Sequence, residues 1–412
     1  METRCTEEFL ATPEGREADA ILRSCVHCGF CNATCPTYQL LGDELDGPRG
    51  RIYLIKQVLE GAAVTAKTQL HLDRCLTCRN CETTCPSGVQ YGRLVDIGRS
   101  VVEARVGRTR ADAATRWGLR RALLAKPLFT GALTLGRMVK GMLPRQLRDR
   151  IPSARAGGRW PAPRHARQLL LVEGCVQPAL APNIDTAAAR VFDRVGISAL
   201  RVSGGGCCGA LSHHLTADDE ARQLVRRNID AWWPHVERGA EAIVMTASGC
   251  GVMVKDYGHF MERDPAYAAK AARIGQLARD PIEIVAAEWK TIAPTLALDQ
   301  GATRVAFHPP CTLQHGMKIR GLVEEILLAL GHSLLPVPDA HLCCGSAGTY
   351  SILQPELARQ LKDNKLRALE SSRPEVIATA NIGCATHLAS GTTIPILHWI
   401  ELLDQRMMRG AR

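Results

Sequence analysis

The chain has no long apolar stretch. No uninterrupted hydrophobic run approaches the roughly 18–20 residues of a membrane span, so a bilayer-crossing protein is not expected. Its opening residues, Met1-Glu2-Thr3-Arg4, are charged and polar, and no apolar leader core follows them, which argues against secretion. A dinucleotide fingerprint is also missing. No Gly-x-Gly-x-x-Gly follows a strand-like run, and Gly204-Gly205-Gly206 abuts a cysteine pair instead of opening a helix. Aromatic residues are scarce, at 4% against 46% hydrophobic residues overall, a balance that suits an α-rich or α/β protein. No nucleic-acid reader motif accompanies the basic charge, so no nucleic-acid partner is expected.

Cysteine is what the chain has in excess. Seventeen are too many for a typical reduced protein unless they bind something, and without a leader they point to metal ligation rather than disulfides. Eight form two nearly identical ladders. The first is Cys25-x2-Cys28-x2-Cys31-x3-Cys35-Pro36, and the second is Cys75-x2-Cys78-x2-Cys81-x3-Cys85-Pro86. This is the spacing of bacterial two-cluster ferredoxins, in which each run serves a [4Fe–4S] cluster. The alternatives are a disulfide framework and a zinc site. Zinc prefers four ligands, often as paired CxxC knuckles, and fits a run of three cysteines plus Cys-Pro less well.

Residues 1–100 hold both ladders. Between them, Pro48 precedes apolar positions 52, 55, 58 and 59, with Gly61 beyond, which predicts a helix that Pro48 starts and Gly61 ends. Residues 101–166 read as a basic connector. From Arg99 to Arg167 there are seventeen Lys/Arg against three acidic residues, while the whole chain carries +10. Its middle, Arg121 to Leu147, mixes Leu, Phe and Met with cations, broken by Pro127 and Pro144. Three readings stand: a basic amphipathic helix on an anionic membrane surface, a solvated linker, or a surface docking on an acidic partner.

From about residue 168 the pattern becomes α/β. Apolar runs at 168–175, 242–247, 303–308 and 376–380 read as buried strands alternating with helices, hence a parallel sheet. The later cysteines repeat as well. Cys175, Cys207-Cys208-Gly209 and Cys250 are matched by Cys311, Cys343-Cys344-Gly345 and Cys384, with 31 residues between the lone cysteine and the pair in both sets. This is an internal duplication of roughly 135 residues, placed at 167–300 and 301–412. Strand carboxyl ends are where ligands gather in such sheets, so each set of four thiols is a candidate metal site. The plainer reading is that buried cysteines act as small hydrophobes.

These features together resemble the iron–sulfur subunit of bacterial glycolate oxidase. The resemblance rests on both ladders, on Gly42-Asp43-Glu44-Leu45-Asp46-Gly47-Pro48-Arg49-Gly50-Arg51, and on Ala380-Asn381-Ile382-Gly383-Cys384. It implies a multidomain α+β chain: an α-helical ferredoxin-type two-cluster domain, then a duplicated α/β cysteine-rich (CCG) domain. It further implies electron transfer from partner flavin subunits, which oxidise glycolate to glyoxylate, toward a membrane acceptor such as quinone. The protein would then sit peripherally on the cytoplasmic face of the inner membrane, with no catalytic residue of its own. A related subunit of a lactate or glycerol-3-phosphate dehydrogenase, a reductase with its own cluster in the repeats, and a zinc-stabilised scaffold are the alternatives.

In the ferredoxin pattern the fourth cysteine of each run serves the other cluster. Cluster one is thus expected on Cys25, Cys28, Cys31 and Cys85, and cluster two on Cys75, Cys78, Cys81 and Cys35. Charges such as Arg79 and His27 are candidates for tuning a cluster potential, and Arg79 reads equally well as a surface charge. Cys175, Cys207, Cys208, Cys250, Cys311, Cys343, Cys344 and Cys384 are candidate ligands of a further cluster or metal. The heterodisulfide reductase pattern, in which the repeats ligate unusual clusters, ends each one in Cys-x2-Cys, whereas here Met253 follows Cys250 and His387 follows Cys384 at that spacing. His308, His315 and His387 are expected to act as hydrogen-bond donors or proton relays to the second repeat's cysteines rather than as ligands.

Overall fold

The protein is described from a computed structural model covering residues 1–142, 144, 151–296 and 302–409. Residues 145–150, inside the basic stretch, and the repeat boundary expected between 300 and 301 lie outside those residues.

The first hundred residues are helical. Each ladder is fed by a side-chain-capped helix: Thr12 caps Pro13–Ser24, which delivers Cys25, and Thr65 caps Ala66–Asp73, which delivers Cys75 one residue on. Both ladders then coil through left-handed backbone at matching places, His27 and Gly29 in one, Thr77 and Arg79 in the other. Those left-handed steps turn successive cysteines toward one point. A short helix follows in each case, Phe30–Ala33 and Asn80–Thr84. The helix expected from Pro48 is present as Pro48–Leu59, with Gly61 left-handed just beyond it. It packs Ile52, Ile55, Val58 and Leu59 into a core shared with helix Tyr91–Val106. That last helix runs straight through the boundary expected at residue 100. Two further helices, Arg110–Leu124 and Lys126–Met138, form the first half of the basic connector.

The remainder is two copies of one small sheet. In the first, β1 (Arg167–Leu171), β2 (Ile197–Leu200), β3 (Ile243–Val244) and β4 (Ala278–Arg279) lie in the order β2-β1-β3-β4. In the second, β5 (Arg304–His308), β6 (Ser333–Leu335), β7 (Val376–Thr379) and β8 (Ile396–His398) lie in the order β6-β5-β7-β8. Every pairing is parallel. β1 shows why its sequence is apolar throughout: Leu169 and Leu171 enter one core while Leu170 enters another, so both faces are buried.

The two copies are fused. A single core draws on Leu169 and Val191 from the first and on Val305, Trp399 and Leu403 from the second. The C-terminal helix Trp399–Arg409 returns to lie on helix Pro182–Arg194, where Asp404 holds Arg190 at 2.5 Å. The two cysteine-bearing carboxyl ends are thereby turned toward each other.

Candidate functional site

The structure gathers sixteen of the seventeen cysteines into four sets. The Cys25 thiol interacts electrostatically with Cys28 and Cys85, and Cys31 with Cys25, Cys28 and Cys85. Cys81 interacts with Cys75, Cys78 and Cys35, and Cys78 with Cys75 and Cys35. The fourth cysteine of each run therefore stands with the other run. Burial pushes Cys31 up to about 11 and Cys78 and Cys81 well above the ordinary thiol range. Four such thiols cannot all ionise beside one another unless a cation joins them. The donor sets thus fit one iron–sulfur cluster each. Cys5 stands apart, hydrogen-bonded to Asp19, with burial pushing it up to about 11.

Around the second set lies a buried cation that the sequence reading missed. Arg51 is 1% exposed and approaches Cys35 Sγ at 4.0 Å, while its Nε donates to the His71 carbonyl at 2.7 Å. Asp46, fully buried, balances it at 3.4 Å and also holds His71 at 3.1 Å and Arg74 at 2.8 Å. The visible signal was an arginine on the apolar face of helix Pro48–Leu59, one residue before Ile52. Arg79, a candidate for tuning a cluster, pairs with Asp256 of the first repeat at 2.9 Å. His27 lies edge-on to Tyr53, and burial lowers its pKa.

In each repeat the four thiols form a chain. Cys175 meets Cys207, Cys207 meets Cys208, and Cys208 meets Cys250. In the second copy Cys311 Sγ lies 3.9 Å from Cys343 Sγ, Cys343 meets Cys344, and Cys344 meets Cys384. Local backbone explains the geometry. Gly209 and Gly345 are left-handed and let the Cys-Cys pair turn back on itself, and their amides lie 3.5 Å from Cys207 Sγ and Cys343 Sγ. Cys250 and Cys384 sit in the first turns of helices Ser248–Lys255 and Ile382–Ala389. Ser248, Thr312 and Asn381 lock those helix starts together, with Ser248 Oγ 2.7 Å from Thr312 Oγ1.

Both thiol chains line one cavity of about 1690 Å³, and so does Cys78 of the second ladder. The ferredoxin-type part docks beside it. Asn80 donates to the His341 carbonyl at 3.4 Å, Tyr350 donates to the Arg74 carbonyl at 3.2 Å, and Thr83 Oγ1 meets His315 Nδ1 at 3.0 Å. His315, expected beside the cysteines, is thus a docking residue held neutral by burial, its pKa lowered to about 4. His387 lines the cavity. His308 is 1% exposed and shares a 4.8 Å cluster with Cys344 and Cys384. His213, which also lines the cavity, bonds Asp218 at 2.7 Å and faces Asp96 at 3.5 Å.

A family profile described as "4Fe-4S dicluster domain" matches residues 21–89, and one described as "Cysteine-rich domain" matches 169–255 and 305–389. Over 408 residues, 99% of both chains, the sequence is 54% identical to the glycolate oxidase iron-sulfur subunit of Escherichia coli K12. The chain belongs to the glycolate oxidase iron–sulfur subunit family. A probable glycolate oxidase iron-sulfur subunit of Bacillus subtilis is 28% identical over 401 residues, 90% of this chain and 89% of the relative. Lactate utilization protein A of Bacillus licheniformis is 24% identical over 241 residues, 56% of this chain and 97% of that one. As a member of this oxidoreductase family the chain is an iron–sulfur protein, with two [4Fe–4S] clusters as its cofactors and tandem cysteine-rich domains behind them. Among the described residues no helix is long and apolar enough to cross a membrane.

Proposed function

We propose that this chain carries electrons from a flavin-bearing partner, which oxidises glycolate, to an acceptor that enters the cavity between the repeats. The observation that carries the reading is the cavity wall, where Cys78 stands with the thiols of both repeats. When bound, the two [4Fe–4S] clusters supply one-electron carriers. Cys25, Cys28, Cys31 and Cys85 would hold one, and Cys75, Cys78, Cys81 and Cys35 the other.

The surroundings of the two sets suit different ends of a path. Cys28 is exposed, and Val26, Phe30 and Tyr53 stand exposed near it, an apolar rim fit to dock a partner subunit. The second set is buried and faces the repeats. Residues 1–100 would then be the carrier domain, 101–166 the connector, and 167–300 and 301–412 the two repeats. The acceptor would be a membrane quinone, and the connector supports that end. Helix Lys126–Met138 turns Phe129 and Leu133 into the cavity wall, yet leaves Leu128, Leu135 and Met138 exposed. An exposed apolar face within a strongly basic stretch suits an anionic bilayer surface on the cytoplasmic side.

The test uses the assembled complex. Cys28→Ser should abolish reduction of a quinone by glycolate while the partner's flavin still bleaches on glycolate addition. Persistence of quinone reduction, or oxidation of glycolate by this chain alone, would overturn the proposal.

A further inference from the structure

The two repeats share their cysteines but not what surrounds them. Three residues before the lone cysteine, the first repeat has Val172 and the second has His308. The same offset relates Val225, against Gly209, to Leu361, against Gly345, and four residues beyond these stand Ile229 and Lys365. Two apolar positions in one copy are therefore a buried imidazole and a buried amine in the other.

Both polar residues stand at the thiols. Lys365 is 3% exposed, donates to the Asp339 carbonyl at 2.7 Å, and interacts electrostatically with Cys343, Cys344 and Cys311. A buried ammonium is costly unless negative charge lies near it. His308 is more telling. Neither ring nitrogen has a hydrogen-bond partner among the described residues, though the side chain is 1% exposed. A buried polar group left without a partner is costly, and something must offset it. One of its nitrogens nevertheless lies in a cluster with Cys344 Sγ and Cys384 Sγ, all three atoms within 4.8 Å of one another. Thiolate with imidazole is a donor set suited to iron–sulfur centres and to zinc.

We propose that the second repeat holds a metal centre with a mixed sulfur and nitrogen donor set, His308 supplying the nitrogen beside Cys311, Cys343, Cys344 and Cys384. The first repeat, with Val172 in that place, offers sulfur alone. Lys365 supplies the countercharge. The inference concerns only this chain's ligands and stands whether or not the acceptor is a quinone.

The full-length protein is isolated anaerobically, with histidine labelled in its imidazole by nitrogen-15 in a parallel preparation. Elemental analysis should find iron beyond the about eight atoms of two [4Fe–4S] clusters, or zinc. Excess iron is read by pulsed EPR, and zinc by its K-edge absorption. Expected are a strong imidazole nitrogen coupling that changes with the label, or nitrogen in the zinc shell, and its loss in His308→Gln. The ferredoxin-type EPR signals should be unchanged in that variant. For an iron centre the midpoint potential should also fall in His308→Gln, since imidazole ligation raises it. No metal beyond the two clusters, a centre with sulfur donors only, or a nitrogen signal that survives His308→Gln would each overturn the proposal. Should the variant fail to fold, the labelled parent protein alone decides between a nitrogen-bearing and an all-sulfur centre.

Discussion

At the scale of single residues, Arg51 is the most consequential side chain outside the cysteines. A guanidinium fixed 4.0 Å from Cys35 Sγ favours whichever oxidation state is more negative, and that is the reduced one. Arg51→Met should therefore lower the midpoint potential of the buried cluster, followed by EPR-monitored redox titration. It should also destabilise the fold toward the low end of the ~3–5 kcal/mol typical of breaking a buried pair. The low end is expected because Asp46 keeps His71 and Arg74. An unchanged potential would remove Arg51 from any tuning role. Neither Arg79 nor His27, the cations singled out from the sequence, occupies this place. Charge near a ladder in sequence says little about which way a side chain leaves a left-handed turn.

At the scale of elements, two contacts decide how the parts hold together. The first is the junction of helix Tyr91–Val106 with helix Ala210–His214, where His213 lies between Asp96 and Asp218. Burial works against its charge, but the two carboxylates win and raise its pKa to about 10. A histidine raised above its unfolded value of about 6.5 contributes stability that is fully present below that pH. The contribution is lost as pH climbs toward 10. The melting-temperature gap between the parent and His213→Gln should thus be widest near pH 6 and nearly closed near pH 10. A gap independent of pH would show that the pair contributes packing alone. The second contact is the Cys-Cys-Gly turn. A Cβ on Gly345 would meet the Ala358 carbonyl oxygen at 2.7 Å and Leu361 Cβ at 2.9 Å, whereas on Gly209 the nearest atoms stand at 3.2 and 3.3 Å. Both substitutions bear a left-handed penalty of ~1–2 kcal/mol. Thermal melts should nonetheless rank Gly345→Ala as the more damaging, because backbone cannot swing aside as a side chain can.

At the scale of the whole molecule, the duplicated repeats act as one body with the ferredoxin-type part pressed against their cysteine-bearing ends. The connector lines the cavity with one face of helix Lys126–Met138 and leaves Leu128, Leu135 and Met138 of that helix exposed. Leu128 and Leu135 are seven residues apart, hence on the same side of that helix. Replacing both by glutamate should cut binding to anionic vesicles several-fold in flotation assays, with cluster content unchanged. Equal binding by parent and variant would instead favour a protein partner for this face.

The sequence by itself determined a good deal. Spacing alone announced two clusters, since three thiols within seven residues can wrap one site only if the chain coils locally. The helix from Pro48 was legible from its proline, its apolar period and its terminal glycine. The duplication and its parallel strands were legible because strands buried on both faces must be apolar throughout. Tertiary structure decided the rest. That the two thiol chains meet in one cavity follows from a core shared between repeats and a C-terminal helix that folds back onto the first. That Cys78 belongs to its wall follows from the docking of Asn80, Thr83 and Tyr350. Arg51, His308 and Lys365 acquire their meaning only by burial. A polar side chain's surroundings are set by residues distant in the chain, and no periodicity records them.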